Sequence, residues 1–214
     1  MTVRSALRGD GSAVHQLADP FPRLLPRLLT VGGAAGLLAS TILTVERANV
    51  LSDDDYVPSC DLGSVLSCGS VMRSAEASLF GFPNSLLGIA GFAIVLTVGV
   101  ALAAGATFRP WFWAGLQLGV SLGVGLVHVL IIVTLYRIGS LCPYCMTVWG
   151  VTVPIFWYVT LHNVERVRSD DRDRGAVAFL LRYHSVPVLL WVIAIVALIL
   201  ARFWSEWTGL TGLR

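Results

Sequence analysis

The sequence predicts an all-α membrane protein: a bundle of four transmembrane helices followed by a fifth transmembrane helix. Of its 214 residues, 56% are hydrophobic and only 13% are charged, whereas roughly a quarter of the residues in a water-soluble domain are charged. The apolar residues form five stretches, each close to the roughly 20 residues that a helix needs to cross a bilayer. We expect helices in all five, because open strands would leave backbone groups unpaired in lipid.

Charged residues set the limits of these stretches. The first lies between Arg27 and Glu46, and the second lies between Glu76 and Arg109. The predicted spans are 28–45, a segment within 77–108, 111–136, 142–161 and 186–201. Small residues in the third span predict close helix contacts at Gly119, Gly123 and Gly125. Tryptophans near span ends indicate anchors at the membrane–water interfaces: Trp111, Trp113, Trp204 and Trp207.

The arginines predict the orientation, because cytoplasmic loops carry an excess of basic residues. With a cytoplasmic N-terminus, ten arginines lie on the cytoplasmic side: Arg4, Arg8, Arg23, Arg27, Arg109, Arg166, Arg168, Arg172, Arg174 and Arg182. Five lie on the other side: Arg47, Arg73, Arg137, Arg202 and Arg214. We therefore expect a multi-pass plasma-membrane protein with a cytoplasmic N-terminus. The net charge of +2 is too small to indicate a nucleic-acid partner.

This orientation divides the chain into a cytoplasmic tail, a four-helix core with an outer loop, a cytoplasmic loop, and a fifth helix with a short outer C-terminus. The predicted ranges are 1–26, 27–161 with its loop at 46–80, 162–184 and 185–214. All four cysteines then face outward: Cys60, Cys68, Cys142 and Cys145. On that oxidising side cysteines favour disulfide chemistry, whereas in a reducing cytosol they would indicate metal binding or catalysis.

Cys142 and Cys145 form a C-x-x-C motif at the expected start of the fourth helix. Pro143 suits the first position of a helix, where a missing N–H costs nothing. The partial positive charge at a helix N-terminus lowers the pKa of a thiol and favours the reactive thiolate. Two cysteines three residues apart on a helix also share a face and lie close enough to bridge. The alternative is a packed or merely structural pair.

Cys60 and Cys68 lie in the outer loop, where a structural disulfide is an equally good interpretation of this pair alone. A four-cysteine zinc site is a further alternative. Zinc sites typically have a short spacing in both halves, however, and here only one of the two cysteine pairs has it. Taken together, the two pairs indicate a relay through a mixed disulfide. The loop pair would collect electrons from a partner, and the helix pair would pass them to a lipid-soluble acceptor such as a quinone.

The ordered combination of these motifs resembles the vitamin K epoxide reductase family. The resemblance covers roughly 28–161 and rests on Cys60-x7-Cys68, Ser74, Phe82-Pro83-Asn84-Ser85 and Cys142-x-x-Cys145. It implies a four-helix bundle around a quinone site. Many bacterial relatives carry a fused thioredoxin-like domain. A fifth span in place of that domain is similar to the actinobacterial type, which uses a separate DsbA-like partner.

The resemblance also implies a role for each cysteine and for one asparagine. Cys60 would meet the partner protein, Cys68 would attack Cys142, and Cys145 would face the quinone. Asn84 would hydrogen-bond a quinone carbonyl. The alternative for Asn84 is a loop or helix-capping role.

Three further residues are candidates for the quinone site. Ser74 would support the loop or the pocket. Trp149 occupies the position where vertebrate relatives have a tyrosine that contacts the ring, but an indole can donate a hydrogen bond and cannot accept one. His128 lies in mid-span, where an ionisable group is a functional candidate by default. The alternative for His128 is a neutral ring bonded to a neighbouring helix.

We therefore expect a thiol–quinone oxidoreductase that needs no metal. It would reoxidise a secreted DsbA-like protein and pass the electrons to a quinone, which is menaquinone if the actinobacterial resemblance holds. One enzyme alternative is the reduction of vitamin K epoxide or quinone with a dithiol donor. A DsbB-type oxidase would have its two cysteine pairs in the reverse order. The non-enzyme alternative is a membrane protein or transporter with two structural disulfides.

Overall fold

The computed structural model describes residues 23–53, 55–61, 63, 65–167 and 179–209. The named helices are α1 (Leu24–Ser52), α2 (Cys68–Arg73), α3 (Asn84–Ala103), α4 (Pro110–Val133), α5 (Pro143–Val167) and α6 (Val186–Gly209). A 3-10 turn, Ala75–Ser78, follows α2, and a π-helical turn, Thr134–Ile138, follows α4. Nearly all of the predicted tail 1–26 and the charged run 168–174 lie outside the described residues.

Five helices are long and apolar enough to cross a membrane: α1, α3, α4 with its π-helical turn, α5 and α6. The all-α membrane fold with five spans is therefore confirmed. The first span is longer than predicted, because α1 continues beyond Glu46 to Ser52. The segment between α1 and α3, which contains the cysteine loop, consequently begins at Asp53 and not at residue 46.

α1 packs most closely on α3. A Cβ atom added at Gly33 would lie only 2.7 Å from the backbone nitrogen of Leu96, and one at Gly36 would overlap the ring of Phe92. A larger residue at either position would force the two helices apart. Glycines of α1 therefore allow the close contact that holds these two spans together.

The close contacts predicted for the glycines of α4 are not found, so that prediction was wrong. A Cβ atom added at Gly119 or Gly125 would meet no atom within 4 Å, and one at Gly123 would meet only Thr152 Cγ2, at 3.9 Å. The spacing of glycines in a span does not reveal which face meets another helix. In α4 these glycines leave open space, which matters for the cavity described below.

The main core lies between α1, α3, α4 and α5 and contains Leu29, Phe92, Val120 and Val159. Trp113 belongs to this core and is only 3% exposed, because it packs against the ring of His162. Its predicted role as an interfacial anchor was therefore wrong. Trp111 and Trp204 are exposed, as such anchors must be.

α6 lies against the outside of the bundle and presents most of its apolar side chains outward. Its buried side chains, Ile199 and Phe203, share a second core with Leu141 and Trp149. All four cysteines lie at the end of the bundle where α5 begins. Three of them, Cys60, Cys68 and Cys142, form a third, smaller core there, and Cys145 packs against it. The fold thus collects residues that are far apart in the sequence at one end of the bundle.

Candidate active site

Cys60 and Cys68 are joined by a disulfide bond, with their Cα atoms 5.7 Å apart. Cys68 is the first residue of α2, whose start is capped by Ser67: its hydroxyl oxygen accepts a hydrogen bond from the backbone N–H of Ser70. Asp61 follows Cys60 and accepts a hydrogen bond from the backbone N–H of Gly69, at 3.0 Å. The cap and the aspartate together fix the backbone on both sides of the disulfide.

Cys142 immediately precedes α5, which begins at Pro143 as expected. Hydrogen bonding by the Cys145 side chain lowers the pKa of Cys142 below its ordinary value, and the backbone N–H groups of Cys145 and Tyr144 lower it further, although burial and the charge of Asp61 oppose them. The start of α5 therefore favours a thiolate at Cys142.

A short backbone bridge brings the two cysteine pairs together. Leu66 and Leu141 form an isolated parallel bridge. In it, the N–H of Ser67 donates to the carbonyl of Leu141 at 3.0 Å, and the N–H of Leu141 donates to the carbonyl of Val65 at 2.7 Å. Leu141 directly precedes Cys142, and Ser67 directly precedes Cys68. The bridge therefore aligns the two segments next to the cysteines that have to meet.

The sulfur atoms of Cys68 and Cys142 are 3.2 Å apart as a result. Both cysteines are fully buried, and Cys142 and Cys145 are free thiols. A thiolate at Cys142 lies in direct contact with a disulfide sulfur, as thiol–disulfide exchange requires. The structure thus brings together Cys60, Cys68, Cys142 and Cys145. Cys68 and Cys142, which are in contact, are 74 positions apart in the sequence.

The same sulfur cluster bears on the zinc alternative. The Sγ atoms of Cys60, Cys68 and Cys142 lie within 4.8 Å of one another, which is compatible with shared ligation of a metal ion. Zinc, however, binds cysteine as the thiolate, and here two of the three sulfurs are bonded to each other. In this redox state only one of the three cysteines, Cys142, has a free thiol.

A cavity of about 520 Å³ opens beside the second cysteine pair. Cys145 and Trp149 line it from α5, and the rest of its wall is mostly apolar. Gly91 of α3 and Gly115 and Gly119 of α4 also line it, and none of them would bring an added Cβ atom within 4 Å of a neighbour. The cavity therefore combines a thiol with an apolar space of the size that small-molecule sites have.

Asn84 and Ser74 both line this cavity. Asn84 begins α3, and its side chain holds the preceding turn: Oδ1 accepts from the N–H of Leu79 at 3.1 Å, and Nδ2 donates to the carbonyl of Glu76 at 2.7 Å. The Ser74 hydroxyl donates to the carbonyl of Val71 at 2.8 Å, at the end of α2. Both residues thus shape the cavity wall through bonds to the backbone.

His128 lies apart from the cavity-lining residues. Its Nδ1 is 2.8 Å from the carbonyl oxygen of Val124, and its Nε2 is 2.9 Å from the indole nitrogen of Trp191 in α6. The carbonyl can only accept and the indole can only donate, so a ring with its proton on Nδ1 satisfies both contacts. The structure places His128 in a contact between helices, which is the alternative role considered for it, and not in the wall of the cavity.

Sequence analysis missed a buried carboxylate next to the cysteine loop. Glu46 accepts hydrogen bonds from the hydroxyl of Tyr56 at 2.9 Å and from that of Ser59 at 2.6 Å. Ser59 directly precedes Cys60, so Glu46 ties the loop to α1. Glu46 entered the sequence analysis only as the charge that ends a span. An acidic residue at the end of an apolar stretch was the one available signal.

Two arginines make contacts near the cavity that were not predicted from the sequence. Arg47 donates to the carbonyl of Ala77 at 2.8 Å and to the hydroxyl of Ser78 at 2.7 Å. Arg137 forms an ion pair with Glu76 at 3.0 Å. These contacts connect the 3-10 turn with α1 and with the π-helical turn. They hold the wall of the cavity on the side of the 3-10 turn, and nothing in the sequence pairs the residues.

A search of curated proteins gave no match for the chain. Residues 27–160, more than half of the chain, match the model of the Vitamin K epoxide reductase family. The matched residues include both cysteine pairs and every residue named above as lining the cavity. They end before α6 begins. With five membrane-spanning helices and sulfur atoms placed for exchange, the chain is a membrane oxidoreductase and belongs to the vitamin K epoxide reductase family.

Proposed function

We propose that the protein oxidises a DsbA-like thiol oxidase outside the cytoplasm and passes the electrons to a membrane quinone. One observation carries the proposal: a cysteine of the loop disulfide lies 3.2 Å from a cysteine of the C-x-x-C pair, whose second member lines an apolar cavity. The loop disulfide thus contacts the C-x-x-C pair, and the C-x-x-C pair reaches the cavity. A purely structural pair of disulfides would not need free thiols at Cys142 and Cys145.

The first step is proposed to occur at Cys60. A thiolate of the reduced partner attacks its sulfur, the Cys60–Cys68 bond breaks, and Cys68 leaves as a thiolate. The second partner thiol then attacks the partner's own sulfur in this mixed disulfide with Cys60. This releases Cys60 as a thiolate and the partner as a disulfide. Two electrons have now passed to the loop pair, and the two partner protons have been released.

The second step passes these electrons to the C-x-x-C pair in its oxidised form. Cys68 attacks Cys142, and Cys145 leaves as a thiolate. Cys60 then attacks Cys68 in the mixed disulfide, which restores the Cys60–Cys68 bond and releases Cys142 as a thiolate. The backbone N–H groups at the start of α5 support this release, because they stabilise the charge on Cys142.

The third step takes place at the cavity. Its apolar wall, its volume and the presence of Cys145 and Asn84 fit a quinone head group. A bound quinone accepts two electrons and two protons. Cys142 and Cys145 lose those two electrons and close their disulfide. The Asn84 amide has two N–H groups: one donates to Glu76, and the other is proposed to hold a carbonyl oxygen of the quinone.

The remaining details of the proposal come from the topology and from the family resemblance. The excess of arginines on the other side supports an extracytoplasmic position for the cysteines in the plasma membrane. The actinobacterial resemblance supports a separate partner and menaquinone. We propose that Trp149, which is buried in the cavity wall, packs against the quinone ring. Ser74 is proposed to keep the loop that borders the same site in place.

The test is oxidation of a reduced DsbA-like protein by the purified chain, with and without added menaquinone, followed by quinone absorbance. We expect quinone reduction by the native chain, background rates with Cys145→Ala, and no partner-driven reduction with Cys60→Ala. A small dithiol should still drive reduction in Cys60→Ala, because it reaches the second pair directly. Full activity of Cys145→Ala would refute the proposal. Turnover of vitamin K epoxide with a dithiol donor, without oxidation of the partner, would favour the reductase alternative.

A further inference from the structure

α6 lies outside the residues that match the family, yet it contacts the bundle next to the sulfur cluster. Ile199 and Phe203 of α6 are buried in the core that contains Leu135 and Leu141, and Cys145 packs against that core. Leu141 forms the backbone bridge to the cysteine loop. The outer half of α6 therefore supports the segment that leads to Cys142.

A polar contact of α6 is directed at the π-helical turn. In a regular α-helix, the carbonyl of Leu135 would accept a hydrogen bond from the N–H of Gly139. In the π-helical turn this N–H bonds instead to the carbonyl of Thr134, at 2.9 Å. The guanidinium Nε–H of Arg202 donates to the Leu135 carbonyl at 2.9 Å. Arg202 thus takes the place of the helical donor that the turn has lost.

The turn and the site are joined by only a few residues. Gly139 ends the turn in the left-handed conformation, with a φ of 71°. Leu141, two residues later, holds the loop through its N–H and its carbonyl, and Cys142 follows. A shift of the turn would therefore move Leu141 and separate Cys142 from Cys68. π-helical turns occur frequently at functional sites.

We propose that Arg202 is a positioning residue for exchange between Cys68 and Cys142. By holding the Leu135 carbonyl it fixes the turn that aligns the two sulfur atoms, so that α6 is part of the redox device. Arg202 touches none of the reacting atoms and acts through the backbone of 135–141. The inference rests on the proposed function for one of its two readouts, and the other readout is independent of it.

The independent readout is formation of the Cys68–Cys142 disulfide. Replacing Cys60 and Cys145 with serine leaves these two thiols alone. Glutathione disulfide then accepts their two electrons and two protons, becoming two molecules of glutathione. We expect Arg202→Ala to slow this reaction about tenfold, equivalent to about 1.4 kcal/mol. Arg202→Lys, which keeps a charged donor, should recover most of the rate, as shown by thiol alkylation and gel mobility.

Trp191→Phe is the matched control on the same helix. It removes one hydrogen bond, the one to His128, and keeps an aromatic ring. We expect its exchange rate to stay within about twofold of the starting chain, because phenylalanine keeps a ring packed against the core of Leu135 and Leu141, and the bonds of His128 run to Val124 and Trp191 and not to the turn (twofold is well under 1 kcal/mol). An equal loss in Trp191→Phe and Arg202→Ala would show that only the attachment of α6 matters. That result would overturn the positioning role, as would an unchanged rate in Arg202→Ala.

The second readout uses the chain with all four cysteines. Arg202→Ala should lower quinone reduction driven by the DsbA-like protein about tenfold and spare reduction driven by a small dithiol, which bypasses the loop pair. Equal losses with both donors would indicate general damage and count against the inference. If the chain with Cys60 and Cys145 replaced by serine forms the Cys68–Cys142 bond but the native chain reduces no quinone with either donor, the proposed function fails. The disulfide assay still decides the role of Arg202.

Discussion

Cys142 depends on its neighbours for its charge. The hydrogen bond from the Cys145 side chain is the largest influence that lowers its pKa, ahead of the backbone N–H groups of α5. Since the pKa lies below its ordinary value, the thiolate persists as the pH falls through the range where a free cysteine becomes protonated. Cys145 thus has two functions, because it also lines the cavity.

This dependence can be measured in a chain whose loop cysteines are both replaced with serine. In that background we expect a lower titration midpoint for Cys142 with Cys145→Ser than with Cys145→Ala. The serine hydroxyl can still donate to the Cys142 thiolate, whereas alanine cannot. Ultraviolet absorbance of the thiolate as a function of pH gives both midpoints. Identical midpoints would contradict the assigned cause.

Asn84 can hold a turn and contact a ligand at the same time. The resemblance implies a quinone contact, and the alternative was a role in the loop or cap. The structure gives Asn84 the second kind of bond, to Leu79 and Glu76, and also places it in the cavity wall. The two roles are compatible, because a primary amide has more donors and acceptors than the turn uses.

Among the elements, α4 has a face of glycines that borders open space. Gly119 lines the cavity and has no neighbour within 4 Å of an added Cβ atom. Gly125 also has no such neighbour but does not line the cavity. The absence of side chains on this face gives the cavity part of its volume. α4 therefore provides two matched glycines, with Gly119 in the cavity wall and Gly125 outside it.

We expect Gly119→Leu to raise the KM for quinone roughly tenfold, because the new side chain occupies space that the ligand needs (about 1.4 kcal/mol of binding). Gly125→Leu should leave the KM unchanged. Thermal unfolding in detergent should show both variants folded, since an added Cβ atom at either position meets no atom within 4 Å. Steady-state kinetics with varied quinone concentration distinguish the two. An equal KM in both variants would place the quinone elsewhere.

At the scale of the whole molecule, both cysteine pairs lie at one end of the bundle, so a single test decides their side. In a chain without native cysteines, Val57→Cys at the exposed loop (71% exposed) should react with an impermeant maleimide in intact cells. Ala106→Cys, in the connection between α3 and α4, should react only after permeabilisation. The reverse pattern would put the cysteines in the cytoplasm and remove the DsbA-like partner.

The five spans and the pairing of the four cysteines could be predicted from the sequence, because long apolar stretches and closely spaced thiols are local signals. The sequence did not predict contacts that depend on helix rotation. Glycines recur in both α4 and α1, yet of these two helices only α1 has glycines at which an added Cβ atom would crowd a neighbouring helix. Trp113 near a span end resembles an anchor and is buried. In the sequence, Arg202 is only a charge at the end of a span. Its hydrogen bond to the Leu135 carbonyl depends on the fold and could not be predicted.

The burial of the loop disulfide has a consequence for selectivity. Cys60 is 5% exposed and Cys68 is fully enclosed, so a nucleophile arriving from the surrounding fluid has no line of attack while the loop is seated. A small dithiol in solution is therefore restricted to the second pair, whereas a protein able to pull the loop outward by its own contacts gains access to the loop disulfide. The burial thus makes the loop pair selective for a protein donor.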